Sequence, residues 1–197
     1  MSRLRDLLAN EYVRSVILLV IIIVSIAAFW FGLKAYLRTD YPLLAVASGS
    51  MVPTLNKGDL IIVQGVIDAG TIVAEAGTGD VIVFHKPGDP EQLIVHRAVE
   101  KWEDGDVWKF NTKGDANSGD DHWIRSVEET DIVGKVVWGI PYLGHIPLFV
   151  HTRNGMMIIV ILIVILILLE FVIPSIKKMM EPEQLKEESD LSSVESL

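Results

Sequence analysis

The sequence predicts a mainly β, antiparallel domain with a barrel-like sheet that lies between two transmembrane α-helices. Half of the 197 residues are apolar, and the longest apolar runs lie toward the two ends of the chain. Between them, short β-branched segments alternate with turn-forming residues. The absence of cysteine excludes a disulfide framework, a thiolate metal site and a cysteine nucleophile.

The first apolar run, residues 15–33, has 19 residues without a charged side chain. At a rise of about 1.5 Å per residue it extends over roughly 28 Å, close to the hydrocarbon thickness of a bilayer. Arg3, Arg5 and Arg14 precede the run and favour a cytoplasmic N-terminus. A cleaved signal peptide is the alternative, but its apolar segment is usually only about 7–15 residues long.

The second apolar run, residues 156–169, is followed by Glu170 and then, after a few apolar residues, by Lys177 and Lys178. Its continuous Ile, Leu and Val residues leave no polar face, which argues against a buried core helix or an interfacial helix. The two lysines favour a cytoplasmic end. The remaining tail is acidic and poor in aromatic residues, so we predict that it is disordered.

These features divide the chain into five predicted segments. Both termini are expected in the cytoplasm, and the domain between the spans is expected outside it. The segments are a cytoplasmic N-terminal segment (1–14), a first transmembrane helix (15–37), an extracytoplasmic all-β domain (38–155), a second transmembrane helix (156–174) and a cytoplasmic acidic tail (175–197).

The predicted outer domain is acidic, with 9 Lys and Arg residues against 17 Asp and Glu residues in 39–155. This charge argues against nucleic acid as a partner. Two apolar segments, 41–46 and 140–150, are expected to rest on the bilayer surface. The predicted strands are β-branched runs separated by Gly, Pro and Asp turns, at 60–63, 81–84, 93–99, 107–110 and 132–137.

A segment with two serines, SGSMVPTL at 48–55, is the first candidate for chemistry. Ser48 and Ser50 flank a glycine, which lets a backbone approach a ligand closely. A serine hydroxyl attacks poorly at neutral pH, so a nucleophilic serine needs a base nearby. The residues alone are equally compatible with an ordinary Ser/Gly/Pro loop.

Histidine is the natural base, because the unperturbed imidazole has a pKa of about 6.5. His96 lies inside a predicted strand, whose rigid backbone suits a catalytic group. His122 adjoins two aspartates and is the rival base, and a half-exposed strand histidine without a catalytic role is the other interpretation. The five histidines are His85, His96, His122, His145 and His151.

An acidic segment at 112–121 supplies the third element, with Asp115, Asp120 and Asp121. A carboxylate there could orient an imidazole and stabilise its cation. The spacing is superficially that of a calcium loop, but the glutamate expected at the twelfth position is missing. A solvated acidic turn is the remaining alternative, and the sequence predicts no cofactor.

Taken together, five ordered blocks resemble the type I signal peptidases. His96 stands where bacterial members have lysine, so the chain is similar to the archaeal and endoplasmic-reticulum branch, which uses Ser, His and Asp. The second, C-terminal span departs from the simplest members of that branch. The blocks are SGSMVPTL at 48–55, GDVIVF at 79–84, VHRAV at 95–99, KGD at 113–115 through Asp120-Asp121, and GKVVWGIPYLG at 134–144.

The resemblance implies an all-β catalytic domain on a membrane anchor that cleaves signal peptides from exported preproteins after small residues. It matches Ser50 to the nucleophile, His96 to the general base and Asp121 to the acidic residue needed with it. Asp115 matches a second important acidic position, and Ser48 matches a serine that helps to bind the oxyanion. The implied partners are the preproteins and the lipid bilayer, with the protein translocation channel as a further candidate.

Two other functions fit part of these features. An autoproteolytic regulator of the repressor class shares a Ser-Met-Pro type of site, but such proteins are soluble, use lysine and carry a DNA-binding domain. A non-catalytic membrane-anchored subunit or binding module could keep the same fold with a degenerate site. The apolar runs and His96 argue against the first function, and the full set of expected site residues argues against the second.

Overall fold

The computed structural model describes residues 11–121, 126–170 and 172. These residues form two compact units that divide after His145. The predicted acidic tail, 175–197, lies outside the described residues, as does most of the predicted N-terminal segment.

Helix α1, Glu11–Leu37, contains the first apolar run. Its stretch Val13–Leu37 is long and apolar enough to cross a membrane, and none of its most apolar window is buried against protein. A second helix, Arg153–Glu170, is also long and apolar enough to cross a membrane. It contains the second apolar run and is called α3 here. A six-residue helix α2, His145–Val150, precedes α3.

The C-terminal end of α1 is fixed to the sheet that follows it. The Leu37 carbonyl accepts a hydrogen bond from the Gly65 amide at 2.8 Å, and the Thr39 hydroxyl donates to the Val133 carbonyl at 3.3 Å. A side chain at position 65 would overlap the Arg38 carbonyl, so this close approach requires glycine. Helix and sheet therefore meet in a defined geometry.

Seven strands form one sheet in the order β1-β2-β7-β3-β4-β5-β6. Every neighbouring pair is antiparallel, which confirms the prediction of a mainly β, antiparallel domain. The sheet is open, because β1 and β6 each have one strand neighbour among the described residues. The strands are β1 Leu43–Ala45, β2 Leu60–Gln64, β3 Val81–Lys86, β4 Asp89–Asp104, β5 Val107–Lys113, β6 Val127–Glu128 and β7 Ile132–Ile140.

All five predicted β-branched runs lie within strands, and two short strands were not predicted. β1 has three residues and β6 has two, too few for a periodic pattern to show. β1 falls within the apolar segment 41–46, so part of that segment pairs with β2. β4 extends five residues beyond its predicted end, because its polar residues continue the hairpin with β5.

The core of the domain consists of two groups of buried apolar side chains. The second group matters for function, since Met51 and Leu55 belong to it and flank the loop that follows Ser50. The first group is Ile72, Ile82, Phe84, Ile94, Ala98, Phe110 and Val127, and the second is Val46, Met51, Leu55, Ile61, Val63 and Val83.

Candidate active site

Ser50 lies in the connection from β1 to β2, which we call the serine loop (residues 46–56). Met51 and Leu55 are buried in the core and are joined by a hydrogen bond from the Leu55 amide to the Met51 carbonyl, 2.9 Å long. The Ser50 carbonyl accepts a hydrogen bond from the Ala116 amide at 2.8 Å. The loop is thereby fixed at Ser50 and in the residues that follow it.

His96 lies in the middle of β4, where burial alternates from residue to residue. Because side chains on a strand alternate between faces, His96 is buried on the same face as Ile94 and Ala98. Its Nε2 lies 3.1 Å from the Ser50 hydroxyl oxygen. Its Nδ1 contacts the Asp121 carboxylate.

Asp121 is buried and is held by strand β5. Its carboxylate oxygen Oδ2, which faces His96, also accepts a hydrogen bond from the Thr112 hydroxyl at 2.8 Å. The Asp121 amide donates to the Thr112 carbonyl at 2.9 Å. With an ionised carboxylate at Asp121, which can only accept hydrogen bonds, Nδ1 would carry the ring proton and Nε2 would be the acceptor for Ser50. The His96 ring therefore contacts the Asp121 carboxylate on one side and the Ser50 hydroxyl on the other.

Ser48 is the neighbouring hydroxyl. Its oxygen lies 3.1 Å from that of Ser50, and its side chain is exposed at the surface of the serine loop. The two serines thus share one small area beside the His96 ring, as their spacing in the sequence allows.

Asp115 lies in a different environment from Asp121, since its carboxylate contacts Arg97 rather than His96. Arg97 donates from Nε to Oδ1 at 2.8 Å and from Nη2 to Oδ2 at 2.5 Å. These hydrogen bonds hold the pKa of Asp115 below its usual value and raise the pKa of Arg97. The third guanidinium nitrogen donates to the Gly79 carbonyl at 2.6 Å, so all three nitrogens of the Arg97 guanidinium are hydrogen-bonded.

The acidic loop (residues 114–121) also passes close to Ser50. A Cβ at Gly114 would lie 2.7 Å from the Ser50 carbonyl oxygen, too close for any side chain. This explains the glycine between Lys113 and Asp115. Asp120, by contrast, is exposed.

The remaining histidines lie elsewhere or outside the description. His85 contacts the Pro90 carbonyl through Nδ1 at 2.6 Å, and the ring of His145 lies against Gly58. His151 belongs to the second compact unit. His122, the rival base, lies outside the described residues.

Sequence reasoning missed three residues of this region: Arg97, Thr54 and Thr112. Arg97 and Thr54 lie inside the blocks VHRAV and SGSMVPTL, so their place beside candidate residues was a signal. Their partner Asp115 is 18 and 61 positions away along the chain, which local patterns do not register.

A groove of about 320 Å³ leads to Ser50 and His96. One wall is residues 44–48 with Ser50 and Met51, and the other is residues 92–96 of β4. Four successive antiparallel pairings separate β1 from β4 in the sheet, so these two strands point in the same direction. The groove therefore has residues 44 and 92 at one end and the candidate site at the other.

Both walls present a strand edge that is free within the described residues. β1 pairs only with β2, and β5 pairs with β4 from Arg97 onward, which leaves 92–96 with a neighbour on one side. Free strand edges offer backbone donors and acceptors to an extended peptide. The site can therefore act on a peptide that lies along this groove.

Sequence comparisons identify the family of this chain. The family model described as "Signal peptidase, peptidase S26" matches residues 9–100, which include Ser50 and His96. The signal peptidase complex catalytic subunit SEC11 of Pyricularia oryzae is 33% identical over 132 residues, covering 64% of this chain and 74% of the relative. SEC11 of Verticillium alfalfae is 34% identical over 124 residues, covering 60% and 69%. The predicted resemblance is confirmed, and the chain belongs to the signal peptidase family, peptidase S26.

Proposed function

We propose that this chain is a membrane-bound serine endopeptidase that cleaves signal peptides from exported preproteins, with Ser50 as the nucleophile and His96 as the general base. The observation that carries the proposal is the 3.1 Å contact between the Ser50 hydroxyl and His96 Nε2, at the end of a groove with two free strand edges. The contact of His96 with Asp121 completes the set of groups that such a reaction needs.

The reaction would begin with attack of the Ser50 oxygen on the scissile carbonyl carbon while His96 Nε2 takes the hydroxyl proton. Asp121 holds the Nδ1 proton and stabilises the imidazolium that forms. His96 then gives its proton to the leaving amine, and an acyl ester remains on Ser50. Water attacks that ester with His96 again as the base, which releases the signal peptide and restores the serine.

The oxyanion of each tetrahedral intermediate needs donors next to Ser50. We propose the Ser50 backbone amide and the Ser48 hydroxyl for this role. The 3.1 Å distance between the two serine oxygens supports it, because a rotation about the Ser48 side chain redirects its proton to a nearby oxygen. A donor of this kind typically contributes about 10²–10³ in kcat.

The substrate would lie extended in the groove, with its backbone paired to β1 and to residues 92–96. Four residue steps along β4 from 92 to 96 correspond to roughly 13 Å, enough for about four peptide residues. The small volume of the groove, about 320 Å³, favours small side chains before the cut. The apolar walls fit the same class of peptide.

The bilayer would hold the enzyme next to its substrate. Ser50 follows the end of α1 at Leu37 by 13 residues, and α1 is fixed to the sheet, so the site stays near the membrane. Trp138 and Tyr142 are exposed, and such aromatic side chains favour the membrane interface. We propose that both long helices span the membrane, that the β domain is extracytoplasmic, and that preproteins arrive from the translocation channel.

Cleavage of a preprotein by the full-length chain in detergent tests the proposal. We expect activity in the wild type and its loss in Ser50→Ala and His96→Ala. His85→Ala is the matched control, because His85 is also a strand histidine, but its ring contacts the Pro90 carbonyl and not Ser50. Equal cleavage by all four proteins would overturn the assignment, and an inactive wild type would favour a non-catalytic membrane module.

A further inference from the structure

The hydroxyl of Thr54 joins three parts of the site that are distant in sequence. It donates to the Asp115 carboxylate at 2.5 Å and accepts from Arg97 Nη2 at 3.2 Å. Thr54 belongs to the serine loop, Arg97 to β4 and Asp115 to the acidic loop. The Arg97 and Asp115 side chains are only 12% and 15% exposed, whereas Thr54 covers them from the exposed side of the junction.

Each partner of Thr54 is next to a group of the proposed reaction. Arg97 directly follows His96 in β4, and Asp115 directly precedes Ala116, whose amide binds the Ser50 carbonyl at 2.8 Å. The serine loop is therefore attached to the acidic loop at two points, the Ser50 carbonyl and the Thr54 hydroxyl. These two attachments, together with the buried Met51 and Leu55 side chains, hold the loop against β4.

We propose that Thr54 is a positioning residue that holds the serine loop against the Arg97–Asp115 pair and so sets the distance from the Ser50 hydroxyl to His96. The inference rests on the proposed function. Thr54 is not part of the groove wall, so it acts through Ser50 and not through peptide binding. A displacement of about 1 Å between reacting groups is enough to cost roughly 10²-fold in rate.

The strength of these contacts distinguishes Thr54 from other exposed threonines. Both partners are charged, and hydrogen bonds with charged groups are about twice as strong as neutral ones. Thr71, for example, is exposed and donates only to the Asp68 carbonyl, at 2.6 Å. The same side-chain change at the two positions therefore separates the effect of the junction from that of losing a surface hydroxyl.

The test is the kinetics of Thr54→Val, which keeps the shape and removes the hydroxyl, in the full-length enzyme with a preprotein in detergent. We expect kcat to fall by about tenfold to a hundredfold, the range for a lost hydrogen bond to charged groups, with KM within about twofold. Thr54→Ser restores the hydroxyl and should recover most of kcat. Thr71→Val should match the wild type.

Three outcomes would overturn the proposal. The first is a Thr54→Val enzyme with wild-type kcat and a lower melting temperature. The second is a larger change in KM than in kcat, and the third is a kcat that Thr54→Ser does not recover. A second measurement covers loss of folding: in an Asp115→Asn background, Thr54→Val should change kcat by less than about threefold, because its partner is already altered. If the effects of the two substitutions on kcat are fully additive, Thr54 does not act through Asp115, and the proposal is overturned. If Ser50→Ala cleaves like the wild type, the proposed function fails instead.

Discussion

Two neighbouring residues of strand β4 face two different carboxylates. His96 lies on the buried face and contacts Asp121, and Arg97 lies on the opposite face and contacts Asp115. Consecutive side chains of a strand alternate between its faces, so one strand serves both contacts. The two aspartates are six positions apart in one loop, yet Asp121 contacts an imidazole and Asp115 contacts a guanidinium.

The difference lies in what each contact does with protons. Hydrogen bonds from Arg97 hold the pKa of Asp115 below its ordinary value, so that pair keeps its charges through the neutral range and can position a loop. An imidazole gains and loses a proton, so in the proposed reaction the carboxylate beside His96 would stabilise the imidazolium. We therefore expect Asp121 to control turnover and Asp115 to control geometry and stability.

The largest expected effect is that of replacing the carboxylate beside His96. Asp121→Asn should lower kcat by about 10³–10⁴-fold, because an amide can favour the wrong imidazole tautomer and does not stabilise the cation. Asp120→Asn is the control next to it in the chain, and since Asp120 is exposed, its kcat should stay within about twofold of the wild type.

Cleavage assays with thermal unfolding of each variant decide the matter. A larger loss in Asp120→Asn than in Asp121→Asn would mean that the orienting carboxylate has been chosen wrongly. A folded Asp121→Asn enzyme with wild-type turnover would remove the distinction between the two faces of β4.

A smaller effect is expected at Ser48, which we group with His96 and Asp121 because its proposed role is in the reaction itself. Ser48→Ala should lower kcat by about 10²–10³-fold with little change in KM, because the hydroxyl is needed only when the oxyanion forms. Covalent labelling of Ser50 by a small phosphonylating reagent checks that the nucleophile itself stays intact. A change confined to KM would assign Ser48 to peptide binding.

The fold was largely predictable because its signals are local. Each of the five β-branched strands and the two apolar runs can be recognised from a pattern within about ten to twenty consecutive residues. β1 and β6 were not predicted, since three-residue and two-residue strands depend on partners far along the chain.

The sequence predicts the candidate site as a set of residues but does not predict its geometry. Sequence reasoning left open which carboxylate meets His96, because that depends on how the acidic loop returns to β5 through the Asp121–Thr112 hydrogen bonds. It gave no role to Arg97 or Thr54, whose contacts exist only once β4, the serine loop and the acidic loop are assembled.

The smallest expected effect concerns the contact between Asp115 and Arg97, and it is measured as stability. Asp115→Asn should lower the free energy of unfolding by about 1.5–3 kcal/mol at neutral pH, the range for hydrogen bonds with charged groups. Because the carboxyl pKa lies below its ordinary value of 3.8 in the folded protein, this contribution is fully present above that value. It is lost as the pH falls through the lowered pKa, where both proteins carry a neutral group at position 115.

Denaturant unfolding of the wild type and Asp115→Asn in detergent, from about pH 7 down to about pH 2.5, follows this difference directly. The gap between the two curves should stay constant down to about pH 5 and then close on further acidification. A gap that already closes near pH 6, or one that widens in acid, would show that the contribution of Asp115 does not come from its charged contact with Arg97. In that case the two faces of β4 would not differ in the way their partners indicate.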